Sequence, residues 1–376
     1  MSRAAAALPV AAVLALASGC APRGDQSTRI DALMQPYAGQ VPGAAVLVIR
    51  DGLPVFRRVY GLADLERGVA ATPATNYRLA FLTKQFTAAA VLLLAEDGRL
   101  SLDDRVRSWL PSLPAAADAV TVRELLTHTA GLIDYEDLIP TDATQQVHDA
   151  DVLRLLESQD HTYFAPGSAY RYSDTGYALL ALVVARASGS DFASFLRQRI
   201  FNPLGMHASV AYEAGVSAVA QRAFGYHAGG GGWVRADQSL TSAVLGDGGV
   251  YSSIDDLAKW DAALYDSRLL RATTLRAAFT AATATDDPAV AYGFGWRITG
   301  ETVWHSGETV GFRNVIVRWP QRRLTVIVLT NRDAPEPYPL ALQIAQLYVP
   351  DAAAQRAARS VTGPDPNLRP LPGSGR

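Results

Sequence analysis

Cysteine is almost missing from this chain: Cys20 is the only one in 376 residues. An intramolecular disulfide, a thiol nucleophile in the body of the chain and a cysteine-based metal site are therefore excluded. Lysine is nearly as scarce, with Lys84 and Lys259 standing alone among many arginines. A lysine inside a motif is then less expected by chance. Charge of one sign is also lacking, since the formal net charge is −2 and the pI is near 6.3. No basic run interleaved with aromatics occurs, which argues against a nucleic-acid partner. The histidines at 148, 161, 207 and 227 show no metal-ligand spacing. No metal and no cofactor are expected. The run of four glycines at 229–232 lacks the Lys-Ser/Thr of a phosphate loop and reads as a flexible turn. What is present, 49% hydrophobic and 19% charged residues, is the composition of an ordinary globular chain with a sizeable core.

No apolar run is long enough for a permanent membrane span. The first residues read instead as an export signal: Arg3, then the apolar stretch Ala4 to Leu16, then Ala17-Ser18-Gly19-Cys20. Small residues before a cysteine resemble a bacterial lipobox. Residues 1–19 are thus expected to be a lipoprotein signal peptide and Cys20 the lipidated residue, with Ala21 matching lipoproteins sorted to the outer membrane. The expected location is the bacterial cell envelope, facing the periplasm, held to the membrane through the N-terminal lipid alone. Residues 20–27 read as a tether, 28–350 as the folded domain, and 351–376, rich in Pro, Gly, Ala and Arg, as a flexible tail.

Within the domain, Ile30 to Tyr37 reads as a helix and Gly43 to Arg50 as an apolar strand. Asp51-Gly52 marks a tight turn into a second strand, Pro54 to Tyr60. Phe81 to Asp97 is apolar on nearly all sides and ends at Gly98, predicting a buried helix. From about 101 to 269 helical patterns dominate, including Val122 to Thr127, Asp149 to Ser158, Thr175 to Ala187 and Ile254 to Tyr265. That stretch is expected to form an all-α lobe. Strands return at Tyr292 to Ile298, Thr302 to Ser306, Phe312 to Trp319 and Leu324 to Leu329, with a closing helix at Pro339 to Tyr348. Strands at both ends with helices between them predict an α/β fold: one antiparallel sheet, completed by both ends of the chain and flanked by helices.

Lys84 follows residue 81 by one helical turn, so the two side chains share a face at the start of the buried helix. A lysine taken out of water there needs a partner, and the surroundings decide whether it is a base or a held charge. Candidate partners are the triplets Tyr172-Ser173-Asp174 and His305-Ser306-Gly307.

The order of these pieces resembles the Ser-x-x-Lys, Tyr-x-Asn and His-x-Gly signature of the serine β-lactamase and penicillin-binding protein superfamily. Further segments resemble its class C β-lactamase, DD-carboxypeptidase, D-aminopeptidase and esterase subgroup: Tyr77-Arg78-Leu79-Ala80 before Lys84-Gln85-Phe86-Thr87, Leu125 to Gly131, Tyr292-Gly293-Phe294-Gly295-Trp296, and Gly311-Phe312. The resemblance spans about Ile30 to Tyr348 and implies a β-lactamase-like fold. It implies that Lys84 relays the nucleophile's proton and that Tyr172 serves as general base and then acid. Asp174 takes the place of an Asn that bonds the lysine, and His305 shapes the electrostatics opposite the tyrosine. The oxyanion hole would use the backbone N–H of residue 81 and of Glu308, just after Gly307. His128 reads as a structural histidine.

One position departs from the signature. Phe81 stands where the nucleophilic serine is expected, and a phenyl ring supplies no oxygen for acyl transfer. Thr83 lies about 200° around the helix and points away from the Lys84 face; Ser173 and Ser306 lack the one-turn relation to Lys84. Three readings follow. The chain is a β-lactamase-like protein that is inactive or strongly impaired as written; or an active serine hydrolase in which Phe81 is an error or a variant one base from serine; or a non-catalytic protein that binds a cell-wall peptide or another partner. The expected ligand is a small molecule or a peptidoglycan peptide, and the expected state is a monomer.

Overall fold

The computed structural model describes residues 23–350. The expected signal peptide, Cys20 and the expected tail at 351–376 lie outside the described residues.

The strand predicted to start near Gly43 runs Ala44–Arg50, and it is buried along all but its last residue. The reason is that both faces of the sheet are covered. Ala45, Leu47 and Ile49 join the main core with the helical body, whereas Ala44, Val46 and Val48 pack with Ile30 and Met34 of the first helix and with Ala341 and Ile344 of the last. Asp51 and Gly52 both adopt positive φ, 52° and 79°. This is the conformation a two-residue hairpin turn demands, and it folds Leu53–Tyr60 back onto its neighbour.

Among the described residues, eight strands form one antiparallel sheet. From one edge they run Thr283–Ala284, Ala291–Tyr292, Arg297–Thr299, Thr302–Thr309, Phe312–Trp319, Leu324–Thr330, Ala44–Arg50 and Leu53–Tyr60. The pairing of Ala44 with Thr330 through Arg50 with Leu324 is the expected closure of the sheet by both ends of the chain. The outer strand, Leu53–Tyr60, carries Arg57 and Arg58, which pair with Asp255 and Asp31. Charges of this kind blunt an edge that would otherwise recruit another strand.

The buried helix is Lys84–Glu96, entered through a tight turn at Ala80–Thr83. It is covered on every side: Phe86 packs at 4.5 Å against Trp260 and at 5.4 Å against Phe201. Burying each such side chain contributes about 1.5–3 kcal/mol, enough to hold the helix at the centre of the molecule.

Four expectations need correction. The first helix begins at Arg23, inside the stretch read as a tether. Ile30 and Met34 anchor it to the sheet, and the Gln26 side chain donates to the Leu347 carbonyl at 2.6 Å. The 101–269 lobe is not all helix: Val250–Ser252 pairs with Tyr77–Arg78 and with Val210–Ala211. Within the same lobe, the glycine run closes a hairpin of Tyr226–Gly229 with Gly232–Arg235. Gly230 and Gly231 at φ 59° and 79° make its turn, so the run is a defined element. Finally, the strand expected at Tyr292 to Ile298 is broken between Tyr292 and Arg297, where Gly295 adopts φ 77°. A Cβ on Gly295 would sit 2.7 Å from the Lys84 carbonyl, so the break lets the sheet approach the first turn of the buried helix.

Candidate active site

The Ala80–Thr83 turn sits where the buried helix meets the sheet. Ala80 holds φ 51° while 1% exposed, a left-handed conformation that costs an alanine free energy and marks a position fixed by its surroundings. The strand Thr302–Thr309 runs directly against this turn. A Cβ on Gly307 would lie 2.0 Å from the Leu79 carbonyl oxygen, so only glycine fits. Asn314, the register partner of Gly307, donates Nδ2 to the Arg78 carbonyl at 2.8 Å and ties the strand pair to the same segment. The close approach packs the Ala80–Thr83 turn against the strand that carries Gly307 and Glu308.

Lys84 is fully buried, and its Nζ donates to Asp174 Oδ1 at 2.5 Å and to the Asp247 carbonyl at 3.4 Å. The same ammonium lies 4.0 Å from the centroid of the Phe81 ring, 5.1 Å from Tyr172 and 5.4 Å from Tyr177. One carboxylate and three aromatic faces surround the charge. The one-turn relation of residues 81 and 84 is therefore real, and a phenyl ring occupies the place where a nucleophile's oxygen would meet the lysine. Thr83, the hydroxyl two positions on, accepts a bond from the Val250 N–H at 3.2 Å, facing away as expected. Ser173 and Ser306 make no hydrogen bond to Lys84, whose donors go to Asp174 and Asp247.

Asp174 immediately precedes the Thr175–Ser188 helix, and its N–H donates to Asp134 Oδ2 at 3.0 Å. Burial and the neighbouring Asp174 charge raise the Asp134 carboxyl to about 6. Asp247 is displaced further upward, by burial and then by Asp174, and accepts a bond from Tyr135 Oη at 2.9 Å. Asp174 is thus both the partner of Lys84 and the charged neighbour of two further buried acids. Tyr172 has its ring 4.3 Å from His128 and 6.1 Å from Phe81. Its hydroxyl is buried with no hydrogen-bond partner, and burial together with Asp174 pushes its pKa well above the usual phenol range. It is a neutral phenol.

His305 is bonded at both ring nitrogens. Its Nδ1 faces the Ser306 carbonyl at 2.6 Å, which can only accept, so Nδ1 carries the proton; Nε2 then accepts from Tyr292 Oη at 3.0 Å. Burial, Arg297 and Lys84 hold its pKa well below 6.5. Both ring nitrogens are occupied and the ring is neutral, so His305 supplies no positive charge opposite Tyr172. That charge is on Arg297, whose Cζ lies 5.0 Å from the Tyr172 ring centroid. Arg297 was not singled out from the sequence, although it directly follows the Tyr292 to Trp296 segment that was. His128 bonds the Ser173 backbone through Nδ1 at 3.1 Å, which is the structural role expected of it, and it also stacks on Tyr172 as part of the site wall. Its backbone φ of 59° has no sequence signal beyond the glycine-like turn of Thr129-Ala130-Gly131.

Comparison with known proteins agrees with this fold. The family model described as Beta-lactamase matches residues 28–350. A penicillin-binding protein of Bacillus subtilis is 31% identical over 323 residues, covering 81% of this chain and 71% of that protein. A D-aminopeptidase of Gluconobacter oxydans is 26% identical, covering 93% of this chain and 70% of its own length. Among solved structures, the octameric penicillin-binding protein homologue from Pyrococcus abyssi superposes with a TM-score of 0.75 at 28% identity, covering 86% of this chain and 77% of the other. The penicillin-binding protein from Bacillus halodurans gives 0.72 at 27% identity, covering 85% and 98%. With its antiparallel sheet closed by both chain ends and its lysine, tyrosine and His-x-Gly elements converging on one turn, the chain belongs to the beta-lactamase family.

Proposed function

We propose that this chain binds an acyl compound, amide, lactam or ester, in the family's cleft without forming an acyl-enzyme. The observation that carries this reading is the Phe81 ring, 4.0 Å from Lys84 Nζ, in the place a nucleophilic oxygen would take. Without that oxygen no bond to the substrate carbonyl can form, whatever the state of the lysine and tyrosine. The rest of the constellation persists as an ion pair of Lys84 with Asp174 and an aromatic wall, and either can survive loss of the reaction because removing half of such a pair is costly.

The ligand on this reading is a small molecule or a peptidoglycan peptide, and the protein acts in the bacterial envelope, anchored through Cys20. Incorporation of labelled palmitate that is lost in Cys20→Ala tests the anchor. The test of the function is Phe81→Ser. The variant is expected to turn over activated esters or amides where the parent does not, provided Lys84, Tyr172 and Asp174 keep their places. Equal turnover by parent and variant contradicts the reading.

A further inference from the structure

Away from the cleft the molecule holds a cavity of about 550 Å³, walled by residues from 63–75 and from the loop 212–224. None of its walls comes from the Ala80–Thr83 turn, the Lys84–Glu96 helix or the strand Thr302–Thr309. Its frame is rigid. The fully buried Asn76 donates its N–H to the Gln221 carbonyl at 3.0 Å and Nδ2 to the Ala220 carbonyl at 2.7 Å, and its own carbonyl accepts from the Ala223 N–H at 2.9 Å. Gln221, so held, has φ 45°, a left-handed conformation that costs free energy in a residue with a Cβ and persists only where the surroundings impose it. Gln221 lines the cavity; its Oε1 accepts from the Thr72 hydroxyl at 3.0 Å, and its Nε2 remains as a donor.

The charges in the walls are already matched. Asp64 accepts from Arg235 at 2.8 Å, and Arg222 pairs with Asp237 while its Cζ lies 5.0 Å from the Tyr212 ring and 5.1 Å from that of Phe224. Arg67 has its side chain 80% exposed to water, 3.9 Å from Asp64. A charged ligand would lose water here and find no free counter-charge, so the cavity suits a neutral one. What is left to meet it is amphipathic: the Tyr212 and Phe224 rings and the half-exposed Val69, beside the Thr72 hydroxyl and the Gln221 amide.

We propose that this cavity is a second binding site, for a neutral saccharide of about two rings. A sugar presents apolar C–H faces to aromatic and aliphatic side chains and a rim of hydroxyls that both donate and accept, which is the pairing these walls offer. The volume falls within the range of preformed small-molecule sites. The inference goes beyond the reading of the cleft and does not depend on Phe81.

Two matched pairs of disaccharides test it on the whole chain by saturation-transfer NMR and calorimetry: neutral N,N′-diacetylchitobiose against chitobiose with its free ammonium groups, and neutral cellobiose against anionic cellobiouronic acid. At least one neutral member is expected to bind with a Kd at or below about 1 mM, and its charged counterpart at least about tenfold more weakly. Ala218→Trp, in the cavity wall, fills the space and should abolish binding. Gln221→Gly removes the amide and relieves the left-handed backbone, so it should weaken binding about fivefold while melting within about 2 °C of the parent. Should the tryptophan disturb the loop, Gln221→Gly decides alone. No binding of either neutral disaccharide, equal binding of neutral and charged partners, unchanged binding in a folded Ala218→Trp or in Gln221→Gly, or a Gln221→Gly that fails to fold each overturns the proposal. Its failure is separable from that of the silent-cleft reading: an acyl adduct on the parent protein would sink that reading and leave the saccharide site standing, and lost saccharide binding would do the reverse.

Discussion

Removing the Asp174 side chain isolates the strongest electrostatic contact in the site. Lys84 is fully buried and its ion-pair partner is 9% exposed at 2.5 Å, so in Asp174→Ala a buried ammonium keeps only the Asp247 carbonyl at 3.4 Å and the surrounding rings. The ring contacts do not compensate, because they are present before and after the change. Breaking one member of a buried pair costs about 3–5 kcal/mol, a large part of the roughly 5–15 kcal/mol that holds a domain. At about 2 °C per kcal/mol for a chain of this size, Tm should fall by about 6–10 °C. Replacing both partners with apolar side chains, Lys84→Met with Asp174→Leu, removes the uncompensated charge and should cost about 1 kcal/mol or less. Thermal and urea unfolding of the two single variants and the double variant give the coupling. A loss below about 1 kcal/mol in Asp174→Ala, or a double variant as unstable as the sum of the singles, would refute the claim that the pair holds itself in place.

The buried histidines give a pH dependence of known sign. His128 and His305 titrate near 6.5 when unfolded but well below it in the fold, through burial and nearby cations. Their contribution is present above pH 6.5 and lost as pH falls through it, about 1.4 kcal/mol for the two between pH 7 and 6. His305→Gln should lose about half of that slope. Asp134 and Asp149, raised to about 6 by burial, act in the opposite sense, favouring the fold at low pH and ceasing to as pH rises through 6. A slope in His305→Gln equal to the parent's would show that this ring is not held neutral. Gly307→Ala places a methyl 2.0 Å from the Leu79 carbonyl and should cost about 3 kcal/mol or prevent folding; a melt within a degree of the parent would mean that the strand does not press on the turn. Asp261→Ala strips Arg318 of its partner at 2.7 Å and should cost about 3–5 kcal/mol, read by urea unfolding.

The parts of the fold that were legible in sequence are those set by short-range physics. The Phe312 to Trp319 strand and the Asp51-Gly52 turn follow from apolar runs and turn chemistry and needed no tertiary information. The first helix is legible over Ile30 to Met34, but its start at Arg23 is not, because what stabilises it, packing of Ile30 and Met34 on the far side of a sheet, is nonlocal. In the site, Lys84, Tyr172 and Asp174 were found by spacing and order, and they do converge. At His305 the triplet gives the ring's identity but not the Tyr292 hydroxyl and Ser306 carbonyl that fix its proton. Arg297, Asp134 and Asp247 carried no local pattern, and their importance arises from burial beside groups more than 30 residues away in the chain.

The central claim is that Phe81 silences an otherwise assembled acyl-transfer site. Intact-protein mass spectrometry after exposure to a β-lactam and to an activated ester tests it most directly. The account predicts an unchanged mass for the chain as it stands and an acyl adduct on Phe81→Ser. An adduct on the parent protein would contradict it.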